Sequence, residues 1–277
     1  MIETFLLLIL LALVAGFIGA LLGLGGGIVL VPGLTLLFGC NVKVAIATSL
    51  MSVIATSSAA ATVYVSERFT NIRLGMTLEL ATTTGALMGG VLAVFVSGRY
   101  LYFLFAAVLV YAAASMLRGR GTAAEEAVTQ PASSGLSAEF VDPASRKTVS
   151  HGVSAMPAGM LGSTAAGILS GMLGIGGGIV KVPLMNLVMG VPMKAAIATS
   201  NFMIGVTAAA GAFFYWTRGL TEPAVTAPSV IGVLVGARIG TRVAGRARTR
   251  ALSLAFVVLL VITAVQMVLR GFGIALR

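Results

Sequence analysis

The chain has 277 residues, of which 58% are hydrophobic and 9% charged, against about 25% charged in an ordinary soluble domain. So few charges cannot coat a water-soluble globule, which excludes one and leaves a membrane protein. The net charge of +10 does not signal nucleic acid, because the cations stand singly between apolar runs and not on one face with stacking aromatics.

Met1-Ile2-Glu3 lacks the basic start of a signal peptide, so the first apolar run is read as a retained span. Apolar runs cover residues 4–22, 28–39, 44–65, 74–97 and 100–117, and then 156–173, 179–191, 195–216, 224–241 and 251–269. Most reach the ~20 residues of a transmembrane helix; the second and seventh do not. Between the two sets, residues 119–155 carry Thr122, Glu125, Glu126, Gln130, Pro131, Asp142 and Pro143, the composition of a solvated, featureless linker. Cys40 is the only cysteine and His151 the only histidine, so an intrachain disulfide, a thiolate cluster and a His-rich metal site are excluded, and no metal or cofactor is expected.

The linker separates two copies of one unit, residues 1–118 and 156–277. Gly23-Leu24-Gly25-Gly26-Gly27 returns as Gly174-Ile175-Gly176-Gly177-Gly178, Pro32 as Pro183, and Lys43 with Ala45-Ile46-Ala47-Thr48-Ser49 as Lys194 with Ala196-Ile197-Ala198-Thr199-Ser200, all at an offset of 151. Between 16–65 and 167–216, 22 of 50 positions are identical, which marks a duplication. Five segments per copy would insert the second copy upside down. With both termini outside, Arg68, Arg73, Arg118, Arg120, Arg146, Lys147, Lys194, Arg242, Arg246, Arg248 and Arg250 fall inside, and Lys43, Arg99, Arg218, Arg270 and Arg277 outside. Eleven against five follows the positive-inside rule. The fold expected is therefore an all-α integral membrane protein of two inverted repeats of about five membrane segments each, with Gly-interrupted short helices.

Gly25, Gly26 and Gly27, with Gly176, Gly177 and Gly178, are the strongest chemical signals. Three successive glycines do not make a comfortable helix interior. Each run precedes an apolar segment too short to cross the bilayer, which places an unwound turn at membrane depth. The N–H groups that open the following half-helix favour an anion there. The alternative is that the glycines only let helices pack closely.

Together, the paired GLGGG and GIGGG loops, each followed by Val-Pro and by a K-x-A-I-A-T-S segment, resemble the TauE/SafE family of sulfite and organosulfonate permeases. The resemblance covers both copies and omits only the linker. It implies a secondary transporter, an exporter by direction, for small sulfur-containing anions such as sulfonates, sulfoacetate, taurine-type compounds or sulfite. Alternating access around a midplane site of the cytoplasmic (inner) membrane would carry them.

Lys181 and Arg238 interrupt apolar segments where the first copy has Leu30 and Leu87. A cation at membrane depth is expensive and marks a functional site by default, and sulfonate oxygens suit an ammonium and a guanidinium. Snorkelling to the surface is the alternative for both. Thr48, Ser49, Thr199, Ser200 and Asn201 offer neutral hydrogen bonds to a cavity, or only to their own helices. Glu79, acidic within an apolar run, would carry a coupling proton or pair with a cation, or lie in the headgroup layer. No acid–base set converges, so no enzyme is expected. The partners expected are a small sulfur-containing anion and the lipid bilayer; a homodimer stays open, as do a passive anion channel and a membrane anchor for a soluble partner.

Overall fold

The computed structural model describes residues 2–118, 136–141, 148–244 and 249–274. They form α1 (Ile2–Leu22), α2 (Gly27–Leu37), α3 (Val42–Ser66), α4 (Ile72–Phe95) and α5 (Gly98–Arg118), then a hairpin of β1 (Ala138–Val141) and β2 (Thr148–His151). The second set is α6 (Met156–Leu173), α7 (Gly178–Pro183), which runs on as a π turn over Leu184–Val188, α8 (Met193–Thr217), α9 (Pro223–Ala244) and α10 (Thr249–Gly271). Ten helices match the ten apolar runs. Arg120, Arg146, Lys147, Arg246, Arg248 and Arg277 of the charge argument lie outside the described residues, as do 119–135 and 142–147 of the linker.

Among the described residues six helices are long and apolar enough to cross a membrane: α1, α3, α4, α5, α8 and α9. The 11 residues of α2 rise only ~16 Å, about half of the ~30 Å core. Local chemistry sets the helix starts. Asn41 accepts the Lys43 N–H at 2.9 Å to open α3, and Asn71 accepts the Leu74 N–H at 3.1 Å to open α4.

Packing follows the duplication. α1 lies against α9 and α6 against α4, α3 against α8, and α5 against α10. Adding 151 to each residue of the first copy exchanges the first two pairs and maps the others onto themselves, the pattern a two-fold relation produces. Small residues permit these contacts. A methyl at Gly236 of α9 would lie 2.0 Å from the Leu13 carbonyl oxygen of α1, and one at the matching Gly85 of α4 would lie 2.2 Å from that of Thr164 on α6. Where lipid removes the hydrophobic drive between helices, such backbone contact supplies the attraction.

The expected featureless linker is corrected. β1 and β2 pair antiparallel, Ala138 opposite His151 and Val141 opposite Thr148. The physical reason is burial along one face: Val149 and Val153 pack on the core, and His151 is 4% exposed. Asn71 Nδ2 also donates to the Leu136 carbonyl at 2.8 Å, which ties the segment to the start of α4. Burial pushes the His151 imidazole below its ordinary value of 6.5.

Candidate functional site

The two glycine loops meet each other at the centre of the molecule. Gly25 and Gly26 have φ of 77° and 81°, and Gly176 and Gly177 both have 75°, the left-handed backbone that breaks the helix before α2 and α7. All six predicted loop glycines are buried. A methyl at Gly27 would lie 2.1 Å from the Gly174 carbonyl oxygen, and one at Gly178 would lie 2.2 Å from that of Gly23. Gly27 and Gly178 thus sit in close backbone contact with the opposite loop, which close packing alone requires to be glycine.

Hydroxyls predicted as cavity lining seal this junction crosswise. Ser49 donates to the Gly174 carbonyl at 2.6 Å, and its counterpart Ser200 donates to that of Gly23 at 3.2 Å. Thr48 shares a hydrogen bond of 3.1 Å with Thr226 in the first turn of α9, while Thr199 accepts the Asn71 N–H at the head of α4 at 3.0 Å. Asn201 donates to the Ile197 carbonyl at 3.2 Å and to that of Ala20 at 3.5 Å. Its Oδ1 is buried with no partner among the described residues, as are the hydroxyls of Ser52, Ser163 and Ser170.

Lys181 and Glu79 form the charged part of the site. They are the only buried Lys, Arg, Asp or Glu among the described residues. Lys181 stands on α7, one turn past the glycine break, and is 1% exposed. Its Nζ lies 3.5 Å from Glu79 Oε2 and donates to Thr207 Oγ1 at 2.8 Å. The hydroxyls of Thr207 and Thr83 donate to Glu79 Oε1 at 2.7 and 3.0 Å, and that of Thr82 donates to Oε2 at 2.8 Å. A charge buried this far needs a counter-charge and a full set of hydrogen bonds, and α4, α7 and α8 together provide both. Lys181 therefore turns its ammonium inward to Glu79 and not outward to the surface. Repeat symmetry puts Leu30, Val230 and Thr56 where Lys181, Glu79 and Thr207 stand, so only one of the two equivalent sites is charged.

Arg238 does not join this set. It is exposed on α9, where the neighbouring Gly236, Ala237 and Gly240 are buried. The face of α9 that meets α1 is built from Val233, Gly236 and Gly240, the two glycines lying against the Leu13 and Phe17 carbonyls, and Arg238 lies off that face. Lys43, counted among the outside charges, donates to the Val94 carbonyl in the last turn of α4 at 2.8 Å. Sequence reasoning missed Thr207, Thr82 and Thr83. Thr82 and Thr83 follow Glu79 at the i+3 and i+4 positions of a helix, a legible signal; Thr207 carried none beyond its match to Thr56.

A helical bundle with several helices long and apolar enough to cross a membrane, and an ion pair buried among them, defines a multi-pass membrane protein. The family model for the sulfite exporter TauE/SafE matches residues 8–267, and the chain belongs to that family. It is 30% identical over 225 residues to "Probable membrane transporter protein YunE" of Bacillus subtilis (strain 168), covering 78% of this chain and 80% of the relative. It is 27% identical to "Probable membrane transporter protein MJ0441" of Methanocaldococcus jannaschii, covering 76% and 72%, and 26% identical to YdhB of Bacillus subtilis, covering 83% and 84%. No solved structure matches the chain significantly.

Proposed function

We propose that this transporter exports small sulfur-containing anions, sulfonates or sulfite, across the cytoplasmic membrane, with both termini outside. Lys181 is the cation that meets the anion and Glu79 carries the coupling proton. The observation that supports this reading is the ion pair of 3.5 Å beside the α7 break. An anion that takes over Lys181 leaves Glu79 buried without its cation. A proton on Glu79 removes that cost, so anion and proton bind together. The buried hydroxyls of Ser163 and Ser170 on α6 and the Asn201 side-chain Oδ1, unpartnered among the described residues, supply further polar contacts once the helices part. Lys181 is 1% exposed and the Glu79 side chain 11%, so on this reading an anion reaches the pair only when the helices move apart.

Counterflow in proteoliposomes tests the reading, with isethionate, methanesulfonate, sulfite and sulfate each offered against trapped unlabelled isethionate. Saturable exchange of a sulfur anion, with apparent affinity rising as pH falls, is expected. Glu79→Gln should keep exchange and lose the pH dependence. Flux that neither saturates nor shows trans-stimulation would identify a passive pore instead.

A further inference from the structure

A groove between α2 and α10 stands apart from the buried pair and enters none of the roles above. It encloses about 430 Å³, with Val29, Pro32 and Leu36 among its α2 wall and Gln266 and Arg270 on its α10 side. We propose that it holds one anionic phospholipid, an acyl chain along α2 and the headgroup phosphate on Arg270 and Gln266.

The gap has a structural origin. α2 stops after 11 residues, and α10 takes its main contacts from α5, leaving its other side only lightly packed on α2. The result is a concave apolar surface, bordered by Leu37 at 74% exposed and Leu259 at 39%. In a bilayer such a surface is filled by an acyl chain. Arg270 lies in the last turn of α10, at the end of the tenth apolar run of the sequence, the position at which basic residues meet lipid headgroups. It is half-buried, and its guanidinium makes no ion pair or hydrogen bond with any described residue. Gln266 and Arg270 are four residues apart and share one helix face, so an amide donor and a guanidinium fork converge on one anion. A small free anion would meet this cation but leave the apolar wall uncovered. A phospholipid with net negative charge satisfies both.

The test uses the full-length chain, stripped of lipid in detergent and titrated with phosphatidylglycerol or phosphatidylcholine of identical acyl chains. Bound lipid is counted by native mass spectrometry. One retained phosphatidylglycerol, preferred over phosphatidylcholine about fivefold to tenfold, is expected for a single interfacial arginine. Arg270→Gln should bring the two lipids to parity, and Val29→Trp, which fills the wall and spares the charge, should expel both. Equal retention of the two lipids by the unaltered protein would overturn the proposal without any variant. So would glycerol 3-phosphate binding as tightly as phosphatidylglycerol, or a dimer that excludes lipid and dissociates on Arg270→Gln.

Discussion

At Lys181 the structure changes what a substitution should do. Its repeat partner Leu30 shows that leucine fits this depth, and sequence alone would predict an assembled Lys181→Leu protein. Pairing with Glu79 reverses that expectation: Lys181→Leu strands a buried carboxylate, a loss of about 3–5 kcal/mol when one partner of such a pair is removed. The double variant Lys181→Leu/Glu79→Val reproduces the Leu30 and Val230 of the other copy, so it should recover most of the thermal stability while sulfonate exchange stays lost. Melting in detergent, followed by tryptophan fluorescence, checks the stability half; a double variant no more stable than the single one would remove the ion pair as the cause. Both charges were legible as charged residues in apolar runs. Their partnership was not, because 102 residues separate them and no local pattern ties α7 to α4.

Among the elements, the two glycine breaks were legible almost to the residue. α2 begins at Gly27 and α7 at Gly178, where the triple glycines end. What the spacing left open was whether these glycines are ligands or spacers. A methyl at Gly27 meets a backbone oxygen at 2.1 Å, whereas one at Gly39, with φ of 66°, meets nothing within 4 Å. Gly27→Ala should therefore cost about 1–3 kcal/mol through overpacking, and Gly39→Ala only the ~1–2 kcal/mol of a left-handed alanine. Detergent melting of both variants decides: equal losses would mean that the loops are not clamped together. The hairpin was not legible, since four-residue strands in a polar segment give no usable period. Its stability should depend on pH through His151. The folded imidazole sits below 6.5 and the unfolded one at 6.5, so the exposed segment gains protons first as pH falls. Docking is fully stable above that value and weakens below it. Hydrogen exchange of residues 148–151, corrected for intrinsic rate, should accelerate below pH 6.5 in the native protein and not in His151→Leu.

For the whole molecule, ten segments and the 151-residue offset came directly from the sequence, because membrane helices write their length in apolar composition. The exchange of partners, α1 with α9 and α6 with α4, did not, since glycine-lined faces look alike before they meet. If the copies are inverted, Lys43→Cys and Lys194→Cys in a Cys40→Ala background should react with an impermeant maleimide from opposite sides of the membrane; labelling from one side sinks the inverted arrangement. The crossed bonds of Ser49 and Ser200 carry a further consequence, for ancestry. Each glycine loop is closed by a serine of the other copy, so the unit from which the chain was duplicated had this junction available only as a pair of identical subunits. Such a pair carries two Lys–Glu contacts or none. A single charged site became attainable only after the subunits were fused into one reading frame and free to diverge, which makes the asymmetry of Lys181 and Glu79 younger than the scaffold that holds them.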